Sequence, residues 1–446
     1  MTAAEVTIGD ISDAEHQAQL RRAVVASTVG TTIEWYDFLI YSTMTGLVFG
    51  KVFFSGTDPL IDTLKAFGVF FIGFIARPIG AAIFGHYGDR IGRKATLIVT
   101  LLMTGIATAA VGLVPGYDSI GLWGAVILTL LRLIQGIGVG GEWGGSVLLA
   151  MEWARSNKNR GFIASWPQFG APAGLFLANL MVLVFSEISG DQFLEWGWRI
   201  PFLLSIIMVG VGLWIRLGIL ETPVFARLLA EERVERAPTL EVLKRQPKTV
   251  ALTALLRLAE QSPGYIFNAF VFTYGTTVLG ASRNLLLSGL IVTTALGFLW
   301  CPIAGALSDR IGRRQMYIVG CIFVAAFTFV YFAMLDTQVP WIMFTAVALS
   351  FIPVMTMYGP EAALIAEAFT PRLRYSGASL GYQLASIIAG GPAPFISTWL
   401  FATYNSTVPI GIYVVVCAVI SIAATAMLPD YTNKDISEEA LEYAGL

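Results

Sequence analysis

The decapeptide Gly85-His-Tyr-Gly-Asp-Arg-Ile-Gly-Arg-Lys94 recurs 220 residues later as Gly305-Ala-Leu-Ser-Asp-Arg-Ile-Gly-Arg-Arg314, each time as a short charged hinge between two long apolar stretches. Gly, Asp, Arg, Gly and Arg keep the same spacing in both copies, so the chain is an internal duplication. Positive charge alone would suffice to orient a loop at a membrane; an Asp and two Gly repeated in register ask for more. A Gly in first place lets helix backbones approach closely. The Asp four residues on can accept from the N-terminus of a neighbouring helix, where unsatisfied amides and the helix dipole favour an anion. The Arg after it can pair with a carboxylate.

The rest of the chain agrees with a membrane setting. Charged residues make up 13% and hydrophobic ones 56%, against about 25% charged in soluble domains. Runs able to cross a ~30 Å hydrocarbon core, which takes about 20 helical residues, fall near 22–50, 62–87, 95–114, 119–151, 160–187 and 199–220. After a polar interval the pattern returns near 250–279, 284–307, 315–336, 339–369, 374–402 and 408–428. The expected fold class is therefore an all-α membrane protein of twelve transmembrane helices in two pseudo-symmetric six-helix bundles. The expected organisation is a tail over 1–20, a first bundle over 21–220, a linker over 221–248, a second bundle over 249–429 and a tail over 430–446.

Lys and Arg fall mainly on one side. Arg21, Arg22, Arg90, Arg93, Lys94, Arg155, Lys158, Arg160 and Arg216, six between Arg227 and Lys248, and Arg310, Arg313, Arg314, Arg372, Arg374 and Lys434 share it. The opposite loops hold only Lys51, Lys65, Arg199 and Arg283. Cytoplasmic loops carry such an excess, so both termini and both hinges are expected in the cytoplasm, with the chain in the inner (plasma) membrane.

Several function classes find no support. A net charge of −2 speaks against a nucleic-acid partner. The first 20 residues are polar and acidic, so the first helix, not a cleaved leader, is the expected targeting signal. Cys301, Cys321 and Cys417 lie in apolar stretches and read as packing residues. Gly136-Ile-Gly-Val-Gly-Gly141 fits a dinucleotide-binding pattern, but no strand precedes it and it lies inside an apolar helix, so helix packing is the reading. No phosphate-binding G-x-x-x-x-G-K-[ST] sequence occurs, and neither His16 nor His86 has a second ligand nearby. No cofactor, no metal and no enzymatic activity are expected.

The two hinges resemble the loop signature of the major facilitator superfamily. A finer resemblance lies in Glu34-Trp-Tyr-Asp-Phe38, Phe74-Ile-Ala-Arg-Pro-Ile-Gly80, the run from Arg132 to Gly145, and Trp196-Gly-Trp-Arg-Ile-Pro-Phe202. These are similar to segments of the metabolite:proton symporter family, whose members carry shikimate, α-ketoglutarate, citrate or proline/betaine, and look closest to its shikimate-type branch. The resemblance implies the major facilitator fold, and uptake of a small organic acid or zwitterion driven by protons.

Ionisable residues inside a membrane cost at least ~2.5–3.5 kcal/mol each and are functional by default. Glu34 and Asp37 stand one turn apart on the first helix. At ~1.5 Å per residue, Glu34 and Arg132 both lie about 18 Å from the ends of their helices, so the sequence predicts that they meet near one depth. The motif around Arg132 resembles a helix-4 motif in which the Arg takes part in coupling. Glu34, Asp37, Arg132 and Glu142 are therefore the expected coupling residues, a structural ion pair between the first and fourth helices being the plainer alternative. Expected substrate contacts are Tyr41, Arg132, Gln135, Trp166 and Gln168 from the first half, and Arg257, Glu260, Tyr358, Glu361 and Tyr382 from the second. Arg257 and Glu260, one turn apart, also read as an internal pair. Arg77 reads as snorkelling to the surface in preference to binding substrate.

The gate is expected twice. In the first half Gly85, Asp89, Arg90 and Arg93 act with Glu152, Asp89 capping the eleventh helix near Tyr375 to Ala378. In the second, Asp309, Arg310 and Arg313 act with Glu367, Asp309 capping the fifth helix near Gly161 to Ala164. The expected activity is import of a small carboxylate-bearing metabolite by proton symport with alternating access, the chain acting as a monomer in the lipid bilayer. A facilitator or exchanger of the same fold, a zwitterion carrier, and a non-transporting metabolite sensor are the rivals.

Overall fold

The computed structural model describes residues 13–54, 59–91, 93–152, 159–217, 238–370 and 373–434, with the backbone alone for 13–16, 88–91, 93, 149, 152 and 238. Among the described residues, six long helices precede the linker. They are α1 (Asp13–Met44, continued by a π turn over Thr45–Phe49 and by Gly50–Phe53), α2 (Pro59–Ile91), α3 (Arg93–Val111), α4 (Trp123–Glu152), α5 (Arg160–Ser189) and α6 (Arg199–Leu203 with Ser205–Leu217). Six follow it. They are α7 (Pro247–Leu256, Leu258–Tyr265, then π turns over Ile266–Phe270 and Thr273–Val278), α8 (Arg283–Ile311), α9 (Arg313–Asp336), α10 (Pro340–Leu349 with Phe351–Glu367), α11 (Arg374–Ala385, a π turn over Ser386–Gly390, then Pro392–Tyr404) and α12 (Val408–Met427). Helix α1 already includes Asp13–Leu20, inside the expected tail. Of the expected linker only a short helix, Pro238–Arg245, and the residues after it are described.

Ten of these helices are long and apolar enough to cross a membrane, by length and composition; α1 and α7 are the two outside that set. These two occupy the same place in each half, and each carries buried charge: Glu34 and Asp37 on α1, Arg257 and Glu260 on α7. The outward surface is apolar, as lipid contact requires; Trp214 and Trp341 are 77% and 69% exposed.

Glycine lets α2 and α4 touch backbone to backbone. A Cβ at Gly136 would stand 2.0 Å from the Gly73 carbonyl oxygen, and one at Gly140 2.0 Å from that of Arg77. The run from 136 to 141 is thus a packing stripe inside α4, the close small-residue contact by which membrane helices associate without a hydrophobic drive between them.

The two halves meet along α1, α2, α4 and α5 on one side and α7, α8, α10 and α11 on the other. At the face bearing the hinges they are shut together. A Cβ at Gly161 of α5 would lie 2.8 Å from the Gly305 carbonyl oxygen of α8, and the Tyr375 hydroxyl of α11 donates to the Gly141 carbonyl of α4 at 2.8 Å. At the opposite face a vestibule of about 420 Å³ lies between the ends of α1, α2, α7 and α8, lined by Lys51, Asp62 and Arg283 among others. Below it α1 and α7 close again, where Asn268 donates to the Ser42 hydroxyl at 3.2 Å.

Candidate functional site

Between the halves lies a cavity of about 50 Å³, walled by Trp35 and Leu39 of α1, Pro172 of α5, Glu260, Gln261, Tyr265 and Asn268 of α7, and Tyr358 of α10. Behind its second-half wall is a dense charged cluster. Arg257 is fully buried and gives Nε to Glu361 at 2.6 Å, Nη2 to Glu260 at 3.0 Å and Nη1 to the Tyr382 carbonyl at 2.7 Å. Its guanidinium carbon lies 3.2 Å from the centroid of the Tyr382 ring. Glu361 also accepts from the Tyr317 hydroxyl at 3.3 Å, and the hydroxyls of Tyr358 and Tyr382 are 3.2 Å apart. Of these, Glu260 and Tyr358 reach the cavity wall, while Arg257 and Glu361 stand behind it.

The first half reaches this cluster through aromatic and amide groups. The Trp143 ring of α4 stacks on Tyr382 with centroids 3.8 Å apart, and its indole N–H donates to Gln168 at 2.8 Å. Gln168 in turn donates to the Tyr358 carbonyl at 3.2 Å. Trp143 is a residue that sequence reasoning passed over, because a Trp inside an apolar, glycine-rich run reads as packing.

The first-half charges are arranged otherwise than expected. Arg132 meets neither Glu34 nor Asp37: it hydrogen-bonds Gln135 at 3.2 Å and lies over the rings of Phe38 and Tyr41, 3.8 and 4.2 Å from their centroids. Gln135 donates to Thr108 of α3 at 2.7 Å, and so faces the interior of its own bundle. Asp37 turns the same way and accepts from the Ser205 hydroxyl of α6 at 2.5 Å, its other oxygen without a partner. Glu142 pairs with Arg216 of α6 and accepts from Thr100 at 3.3 Å. Arg216, counted from sequence only as an orienting charge, is in fact buried. Glu34 is buried with one carboxylate oxygen unpartnered. The shared depth of Glu34 and Arg132 did not produce a contact because α1 and α4 present these residues to different neighbours.

Two further expectations need correction. Arg77 does not snorkel: it is fully buried and donates to the Ser386 hydroxyl of α11 at 3.2 Å, because the seam between the halves covers it. Trp166 packs with Phe162 and Phe169 on the flank of α5, away from the cavity walls.

At the hinge face of the second half, Asp309 accepts from the backbone amides of Gly161 and Phe162 at the start of α5, both at 2.9 Å. Arg313 reaches Asp309 at 3.0 Å and Glu367 at 3.2 Å, and Arg160 joins from α5 with Nε 3.1 Å from Glu367. Arg310 is exposed. Gly85 approaches the other seam, where a Cβ would be 3.5 Å from the Ser376 hydroxyl of α11. The side chains of Asp89, Arg90, Arg93 and Glu152 lie outside the described residues.

Residues 38–394 match the sequence profile of the Major Facilitator Superfamily. The chain belongs to this superfamily. It is similar to the inner membrane metabolite transport protein YhjE of Escherichia coli (strain K12), 38% identical over 93% of this chain and 95% of that one. It is 40% identical to the shikimate transporter of the same organism, over 92% of this chain and 94% of that one. Among solved structures, the proton:xylose symporter XylE aligns with a TM-score of 0.74 at 18% identity, covering 96% of this chain and 99% of that one. That likeness gives the fold alone. This superfamily member is a multi-pass membrane transporter and not an enzyme.

Proposed function

We propose that the protein imports a small carboxylate-bearing metabolite by proton symport, its two bundles rocking about the cavity at the seam. The observation that carries the reading is the pairing of that cavity with buried, incompletely partnered acids on α1, in a chain closed at its hinge face and open to a vestibule at the other. The excess of Lys and Arg on the hinge face supports a cytoplasmic position for it and for both termini. A relative named as a shikimate transporter supports an organic acid as cargo. Asp37 and Glu34 serve as the proton-carrying pair, Asp37 first, while Glu142 is held by Arg216 and belongs to the fold. Glu260 and Tyr358 line the second-half side of the cavity, with Tyr382 behind them and Gln168 reaching Tyr358 from the first half. The Asp309, Arg313 and Glu367 cluster holds the cytoplasmic gate shut, and the unit of transport is a monomer.

The test is uptake into vesicles, with and without an imposed pH gradient, of shikimate, α-ketoglutarate, citrate and glycine betaine. Accumulation of an acid that collapses with the gradient is expected. Asp37→Asn keeps the shape but holds no negative charge, so it should lose accumulation while retaining exchange of labelled for unlabelled substrate. Wild-type accumulation by both Asp37→Asn and Glu34→Gln would move the proton site to Glu260 or Glu361.

A further inference from the structure

Among the described residues, two of the four fully buried arginines have a carboxylate within 4 Å: Arg257 has Glu260 and Glu361, and Arg313 has Asp309 and Glu367. Arg77 and Arg132 have none. Each lies over the Phe38 ring with its guanidinium carbon 3.8 Å from the centroid, so the two cations stand no more than twice that distance apart. In each, Nε and Nη2 lack a hydrogen-bond partner. These two atoms form the side-on edge by which a guanidinium grips a carboxylate with two parallel bonds. A buried cation left so is costly unless something completes it.

The two edges are placed differently. Nε of Arg132 packs onto α2, where a Cβ at Gly73 would stand 2.5 Å from it. Arg77 lies instead at the seam. Its single hydrogen bond crosses from α2 to Ser386 in the π turn of α11, and the Ser386 hydroxyl also lies 3.3 Å from the Gln261 side-chain amide. Gln261 and Trp35, whose ring centroid is 5.8 Å from the Arg77 guanidinium carbon, both wall the cavity. At about 50 Å³ that cavity has room for one or two waters and no organic acid. Loading it requires the halves to part, and parting them removes the Ser386 bond from Arg77.

We propose that Arg77 is the anchor of the substrate carboxylate, which binds through the Nε and Nη2 edge as the seam opens beside Trp35 and Gln261. The anion thereby fills the edge that faces away from the Ser386 bond and supplies the cation with the carboxylate partner it lacks. This rests on the carboxylate reading above.

The test is binding to the purified full-length protein, followed by tryptophan fluorescence. It uses whichever of shikimate, α-ketoglutarate or citrate the wild type accumulates, and the fully amidated form of the same acid. Wild type should prefer the acid by on the order of 100-fold, the scale of a buried charge-assisted pair. In Arg77→Gln that preference should shrink to within about threefold, with affinity for the amide kept, which a general folding defect would not produce. Retention of the preference by Arg77→Gln overturns the proposal. Loss of the amide together with the acid also overturns it, since Arg77 would then act on the fold. If wild type accumulates none of the acids, or binds amide as tightly as acid, the carboxylate reading itself falls.

Discussion

At Arg257 a single cation stands between two buried carboxylates, Glu260 and Glu361, with a ring face beneath it. Taking charges out of water is repaid only when each is paired and hydrogen-bonded, and removing one partner strands the other. Arg257→Ala should therefore cost on the order of 3–5 kcal/mol, visible as a lower unfolding midpoint in detergent. Adding Glu361→Gln to that variant should recover part of the midpoint, because the stranded charge nearest the cluster's centre is gone. An unchanged midpoint for Arg257→Ala would show that water or a rearranged side chain neutralises the site. Charge in the middle of an apolar run is legible from residue type alone, and so Arg257, Glu260 and Glu361 were readable as a group with consequences. What each of them faces was not.

At the scale of elements, backbone detail sits where the halves touch. The π turns of α1 and α7, Thr45–Phe49 and Ile266–Phe270, occupy equivalent places in the duplication and meet there: a Cβ at Gly46 would lie 2.8 Å from the Ala269 carbonyl oxygen. A π turn adds a residue to one helical turn and is common at functional positions. On the hinge face the contact is Gly161 of α5 against Gly305 of α8, secured by the Asp309 bonds to the α5 amides. Gly161→Val should wedge this contact apart and bias the protein towards the state open at the hinge face. A cysteine placed at Ser165, one turn deeper, should then be alkylated faster than in a chain with Gly161 intact. Equal alkylation rates would mean that α5 and α8 part without passing through this contact.

Across the whole molecule, the vestibule opposite the hinges holds two of the four basic residues of that face. Lys51 and Arg283 line it, and its acid Asp62 is paired with Lys65 at 2.8 Å. A mouth of one sign concentrates ions of the other, an effect that salt screens. For an anionic substrate, Lys51→Glu should lower the uptake rate at limiting substrate about tenfold at low ionic strength. The difference from wild type should narrow in about 0.5 M salt, where the Debye length falls to a few Å. A difference that ignores salt would assign Lys51 to packing at the mouth.

The duplication, the number of long helices and most of the residues that carry charge into the membrane, Arg77 and Arg216 excepted, follow from the sequence by itself, because hydropathy runs and repeated spacing are local properties of the chain. Tertiary structure alone decided the partners. It turned Asp37 to Ser205, gave Glu142 to Arg216, kept Arg132 from Glu34 and buried Arg77 beneath the seam. The physical reason is rotational: a helix apolar on nearly every side carries no stripe that fixes which face meets which neighbour. That choice falls to glycine contacts and hydrogen bonds between segments far apart in the chain, such as Gly73 against Gly136 and Arg77 against Ser386.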